Sequence, residues 1–190
     1  MSSSTASRAI RIPPVPEDAR TGRTLELLDL ASRGRDRAPN IYTTLVTNPI
    51  LFERWLGLAH NLLFDGSLTA RDRELLVLRT AVNCDSEYEW AQHQRFAVAG
   101  GISEGEIAAI FHGWHDEPWT ARERALLAAA DELHVSSFVG DETWAVLADH
   151  YQPEQLIEIT MVVGVYHLVA MLLNSLGVQL DEGLIGFPVY

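Results

Sequence analysis

Between Asn48-Pro49 and Gly66 the apolar residues Ile50, Phe52, Trp55, Leu56, Ala59, Leu62 and Leu63 recur at three- and four-residue spacing. That is the period of one face of an amphipathic helix. Asn48 suits the N-cap and Pro49 the first helical position. Thr69 opens a second helix with Asp72 placed as in a capping box. Leu75, Leu76, Leu78 and Val82 form its buried side, and Glu74 adjoins them. After a break at residues 83–86, a third helix covers residues 88–99 and stops at Gly100-Gly101.

The same signals continue along the chain. Ser103 with Glu106 and Thr120 with Glu123 are two further capping boxes. The first starts a short helix that fades by His112, and the second opens TARERALLAAADELH. Asp141 caps a helix through about residue 150. Pro153 starts a long helix over residues 154–176, which Gly177 ends. Its nearly continuous apolar character predicts cover on all sides, inside the fold or at a subunit interface. Towards the start, residues 17–32 predict a first helix with Leu25, Leu28 and Ala31 inward. Residues 1–16, rich in Ser and then Pro, read as a flexible arm, although Ile10 and Ile12 can dock on a neighbouring surface. The tail LDEGLIGFPVY reads as an extended arm that docks on the body or on a neighbouring subunit. No run of alternating strands occurs, so the expected fold is an all-α, single-domain bundle of about seven or eight helices. Its body spans residues 17–178, between arms at 1–16 and 179–190.

The segment TARDRELLVLRTAV is echoed by TARERALLAAADELH at an offset of 51 residues. The echo points to an internal duplication of a helical unit, which one shared N-terminal pattern does not establish. Ala125 stands where the first copy has Glu74, so a site involving Glu74 belongs to the first copy alone.

Composition narrows the function classes. At 190 residues and 47% hydrophobic content the chain can bury a sizeable core. A formal charge of −12 opposes binding to a phosphate backbone, so nucleic acid is not an expected partner. Thr160 and His167 interrupt the most apolar run, which favours a buried helix over a membrane span. No membrane partner is expected. The first residues lack the apolar core of a signal peptide. Cys84 is the one cysteine, which excludes an intramolecular disulfide and fits a reducing cytoplasm.

The chemistry gathers between Leu68 and Glu106. Glu89 and His93 are four residues apart, so a helix places them on one face. Trp90, Phe96 and Ala97 make that face otherwise apolar. The pair is either a polar couple in a core or a functional site sheltered from water.

LTARDRELLVLR, EYEWAQH and AGGISEGEI together resemble the carboxymuconolactone decarboxylase family, related to the alkylhydroperoxidase D-like proteins. The resemblance extends over roughly residues 40–178. It implies an all-α bundle and a homo-oligomer, a dimer, trimer or hexamer. The family's redox members carry two cysteines ahead of a histidine, with an upstream glutamate. By position these fall on Ser86, Glu89, His93 and Glu74, so both thiols are absent and thiol peroxidase chemistry is not expected. The decarboxylase branch has a glutamate four residues before the histidine, as Glu89 and His93 stand here. The YEW sequence resembles YEWxxH-type members.

The resemblance implies acid–base chemistry without a metal or organic cofactor, on a small carboxylic acid or lactone. His93 is then the proton-transferring group, Glu89 orients it, and Glu74 is an auxiliary acid or base. An imidazole titrates near neutrality and serves in either direction. Trp90 and Arg79 are candidate substrate contacts, Arg79 as anchor for a carboxylate. Their alternatives are packing and an internal salt bridge. His60 is expected as a hydrogen-bonded core or interface residue, and no metal site is expected, including at His112 and His115 in HGWHDE. The competing class is a non-enzymatic binding or assembly protein on the same scaffold. A pocket reaching His93 would favour an enzyme, and a sealed pair a structural role. Light scattering at micromolar concentration should find an oligomer, and a monomer would count against the resemblance-based expectation.

Overall fold

The structure is a computed structural model that describes residues 8–35, 37–112, 115 and 119–188. Among them are nine α-helices and no strand: α1 (Arg23–Ser32), α2 (Asn40–Leu45), α3 (Pro49–His60), α4 (Ala70–Asn83), α5 (Glu87–Ala99), α6 (Glu104–His112), α7 (Ala121–Ser136), α8 (Asp141–His150) and α9 (Pro153–Leu176). The caps do what their residue types dictate. The Asn48 side chain accepts from the Leu51 amide, and Thr69 Oγ1 accepts from the Asp72 amide at 3.1 Å. Ser103/Glu106 and Thr120/Glu123 form reciprocal capping boxes. Gly177 ends α9 in the left-handed conformation at φ 69°.

The first helix departs from expectation. Residues 17–19 form a 3₁₀ turn, and α1 starts only at Arg23, because Gly22 at φ 49° interrupts the run. The chain beyond α3 continues as one π-type turn, Asn61–Asp65. Such turns widen the backbone spiral and re-aim the side chains on it.

Helix α4 is the axis of the molecule and packs against α5, α6, α7 and α9. Leu75, Leu76, Val77, Leu78 and Ala81 are fully buried in the main core. A smaller apolar cluster joins α1, α2 and α3 through Leu27, Leu28, Ala31, Val46, Phe52 and Leu56. Tyr42, Leu45 and Trp55 touch both clusters and mark the seam between them.

The two echoed helices lie side by side. Arg71 on α4 pairs with Glu123 on α7 at 2.7 Å, and Arg122 on α7 pairs with Asp72 on α4 at 3.3 Å. Further along, Arg79 meets Asp131 and Asn83 meets the Ala130 carbonyl. Contacts therefore stay level from one end to the other, and α4 and α7 run parallel.

Helix α9 is not covered all round in the single chain. Leu156, Ile159, Val162, Val163, Val169 and Leu173 face the core. Ile157, Met161, Leu168 and Met171 remain exposed, with Gly164 between them at alternating four- and three-residue spacing. By length and composition α9 is apolar enough to cross a membrane. Its buried Glu158 nevertheless accepts from the Ser67 amide and hydroxyl, both at 2.6 Å.

The described residues of both arms, 8–16 and 179–188, lie on the body of their own chain. The Arg11 amide donates to the Leu176 carbonyl at 2.9 Å, and Arg8 pairs with Asp85 at 2.8 Å. Ile10 and Ile12 stay exposed. In the tail, Asp181 accepts from the Asn40 amide at 2.7 Å and from the Tyr88 hydroxyl at 2.7 Å, while Phe187 packs on Trp90 and Phe111. A Cβ at position 177 would overlap the Ala9 carbonyl oxygen. Gly177→Ala should thus cost about 1–3 kcal/mol through the left-handed backbone alone. It should also release the N-terminal arm. Urea unfolding and limited proteolysis of residues 8–12 check both outcomes, and unchanged arm protection would contradict them.

Candidate active site

Glu74, in the second turn of α4, has no exposed surface. A lone carboxylate in such a place is costly, so it requires partners. Arg73 Nε donates to its Oε1 at 2.9 Å, and His93 Nδ1 on α5 donates to its Oε2 at 2.7 Å. This contact fixes the ring and leaves Nε2 as the nitrogen available for exchange. Phe96 and Tyr166 complete the setting of the imidazole, with ring centroids 5.4 and 4.9 Å away. Tyr166 stands edge-on at 89°.

The sequence reading had Glu89 orienting His93. The structure gives that role to Glu74, across the α4–α5 contact. Glu89 is buried at 2% exposure, and neither carboxyl oxygen has a hydrogen-bond partner. Burial first, and the charge of Glu74 second, hold its carboxyl well above the usual carboxylate range. Both causes favour the protonated, neutral form of Glu89. The same two causes, burial and then the Glu74 charge, push the Tyr166 phenol well above its ordinary value.

Glu89 and His93 line a half-open cavity of about 80 Å³ at the seam between the two apolar clusters. A water needs roughly 10–15 Å³ on this measure, so the space suits a small organic molecule. The walls are Tyr42, Trp55, Phe96, Val165 and Val169, with His60 and Leu63 at the π-type turn. His60 Nε2 and Trp55 Nε1 are buried without hydrogen-bond partners, so His60 is not the satisfied core histidine that the sequence suggested. Burial, and then the charge of Arg33, lowers the His60 pKa from its ordinary value. Arg35 and Arg95 also line the cavity. Burial and then the charge of Arg35 lower the Arg95 pKa, as two guanidinium groups facing one space require.

Two expected substrate contacts lie elsewhere. Trp90 packs against Phe111 and Phe187 at 5.4 and 5.8 Å, on a side of α5 away from the cavity. Arg79 is held by Asp131 at 2.5 Å and by the Ile110 carbonyl at 3.1 Å, so it is an internal salt bridge. The residues missed were Arg35, Arg95, Tyr166 and Trp55. Arg95 was within reach, two positions after His93 on the same helix. The others come from separate segments and carry no local signal. HGWHDE falls partly outside the described residues.

Comparison with known proteins agrees with this architecture. Residues 49–132 match the model of the carboxymuconolactone decarboxylase family. No curated protein sequence matches the chain. A solved peroxidase-related protein from Ralstonia eutropha with an alkylhydroperoxidase AhpD core superposes with TM-score 0.79 at 21% identity, covering 92% of this chain and 94% of that one. The debrominase Bmp8, solved in complex with 2,3,4-tribromopyrrole, gives TM-score 0.75 at 17% identity over 93% and 95% of the two chains. A protein of unknown function from Agrobacterium tumefaciens gives 0.66 at 20% identity over 72% and 95%. At these identities the likeness is one of fold.

The Glu89 environment has a measurable sign. Its folded pKa lies above the unfolded carboxylate value of about 4.3, so the folded state holds a proton that the unfolded state releases. This contribution is complete below the unfolded pKa and is lost as pH rises towards the folded one. Glu89→Gln should accordingly gain melting temperature over the parent as pH rises from about 4 to about 8. A difference independent of pH would rule out a protonated Glu89.

Proposed function

We propose, for a chain whose residues 49–132 match the carboxymuconolactone decarboxylase family, an acid–base enzyme acting on a small carboxylic acid or lactone, by decarboxylation or a related proton transfer. One observation carries the reading: a buried carboxyl, Glu89, with both oxygens unpartnered, shares an apolar cavity with an imidazole that a second carboxylate holds in place. A purely structural pair would be sealed and satisfied.

Arg35 and Arg95 attract a carboxylate to the cavity. Inside, the apolar walls favour loss of CO₂, because the compact charge of a carboxylate becomes an enolate-like charge spread over more atoms. Glu89 donates a hydrogen bond to the oxygen on which that charge collects, as a neutral acid in a dry site can. His93 delivers a proton from Nε2 to the carbon and regains one from solvent, so one proton is consumed for each CO₂ released. Glu74 stabilises the imidazolium and keeps the ring from turning. The chemistry draws on side chains alone. A thiol peroxidase reading has no support, because Ser86 and Glu89 stand where the thiols would be needed.

The substrate can be sought by thermal stabilisation with small carboxylic acids and lactones, since a ligand of the native state raises the melting temperature. On the compound so found, His93→Gln should lose about 10²–10⁴-fold in kcat. Glutamine keeps a donor towards Glu74, so folding should be retained. Unchanged turnover per folded molecule in His93→Gln would overturn the assignment.

A further inference from the structure

At the far end of the α4–α7 pair, three groups meet that the cavity chemistry does not use. Cys84 caps the C-terminus of α4, His134 lies in the last turn of α7, and His167 comes from the middle of α9. Cys84 Sγ is 3.9 Å from His134 Nδ1, and His134 Nδ1 is 3.0 Å from His167 Nε2. All three ligand atoms lie within 4.8 Å of one another. We propose that Cys84, His134 and His167 form a binding site for a zinc-class divalent cation, with the fourth position open to solvent.

The spacing fits a tetrahedral ion. Metal–nitrogen bonds of about 2.0–2.1 Å and a metal–sulfur bond of about 2.3 Å place ligand atoms roughly 3.3–3.6 Å apart. The observed separations need shifts of only a few tenths of an ångström at those two edges. The donor set matches as well, because a thiolate with two imidazoles suits a borderline-soft ion rather than calcium or magnesium.

The surroundings already hold the ligands. His167 Nδ1 lies 2.8 Å from the Val163 carbonyl, which can only accept, so Nδ1 carries the proton and Nε2 presents a lone pair. Asn174 Nδ2 donates to the Cys84 carbonyl at 2.9 Å and fixes the cap. Because α4 and α7 run parallel, the partial negative charge of both C-termini falls at this end, and it favours a cation. On binding, the Cys84 thiol releases one proton to solvent. His134 moves its proton from Nδ1 to Nε2, and His167 keeps the tautomer it has. His134 is exposed and gives the ion a path in.

The test uses the untagged full chain, stripped with a chelator and kept reduced with a phosphine. Zinc titration should find one equivalent bound. Cobalt(II) in its place should show a thiolate-to-metal charge-transfer band and the ligand-field bands of a four-coordinate ion. Cys84→Ser should abolish the charge-transfer band. His134→Gln, at an exposed position that should not disturb folding, should weaken binding by more than the ~10–100-fold that loss of an outer-shell partner costs. Absence of binding in the parent, or affinity unchanged in both variants through ions held at other histidines, would overturn the site.

Discussion

A carboxylate with no exposed surface constrains everything around Glu74. Removing one partner from such a buried pair typically costs about 3–5 kcal/mol, because the remaining charge is left uncompensated. Arg73 comes from the same helix, so the second partner must arrive from elsewhere, and His93 brings α5 against α4 in one register. The apolar faces of both helices then close around the pair. Glu89, held on the same face of α5 as His93, is carried into the dark with no partner of its own. Its protonated form is favoured first by burial, which disfavours the charged carboxylate, and second by the nearby charge of Glu74. One buried ion pair thus produces a second, neutral acid beside it.

The cavity exists because two apolar clusters meet imperfectly. The α1–α3 layer and the main bundle each pack well, but Tyr42 and Trp55 bridge them with large flat rings. The π-type turn after α3 moves Leu63 and His60 along the same seam. The tail contributes from outside: Asp181 ties Tyr88, Gln92 and the start of α2 together, just behind the cavity wall. The tail therefore holds together α2 and α5, two of the elements between which the cavity forms.

Periodicity and caps made most helices legible, because Thr69, Ser103, Thr120, Pro153 and Gly177 act through neighbours within a few residues. What failed was non-local or backbone-specific. Gly22 broke a run that propensity alone would continue, and α2 is too short for a period to show. The site was half legible. Spacing placed Glu89 and His93 on one face, but it could not decide which carboxylate would reach the ring, since that depends on how α5 sits against α4. Trp90 illustrates the same limit: sharing roughly a face with His93, it turned to an aromatic cluster built by Phe111 and the distant Phe187. Arg35, Tyr166 and the Cys84–His134–His167 group are assembled wholly by tertiary packing.

The crossed pairs Arg71–Glu123 and Arg122–Asp72 have a consequence for symmetry. Equivalent positions of the two echoed segments exchange partners, the rule that governs an isologous contact between identical subunits. One polypeptide thus holds what two identical protomers would make by pairing about a dyad. Identical halves would place an acidic side chain at both position 74 and position 125, and each buried copy would need its own cation. With Ala125 the second half is relieved of that requirement. The two parallel helices thus share crossed salt bridges, but only one of them carries a buried acid at this position that must be matched from a neighbouring helix.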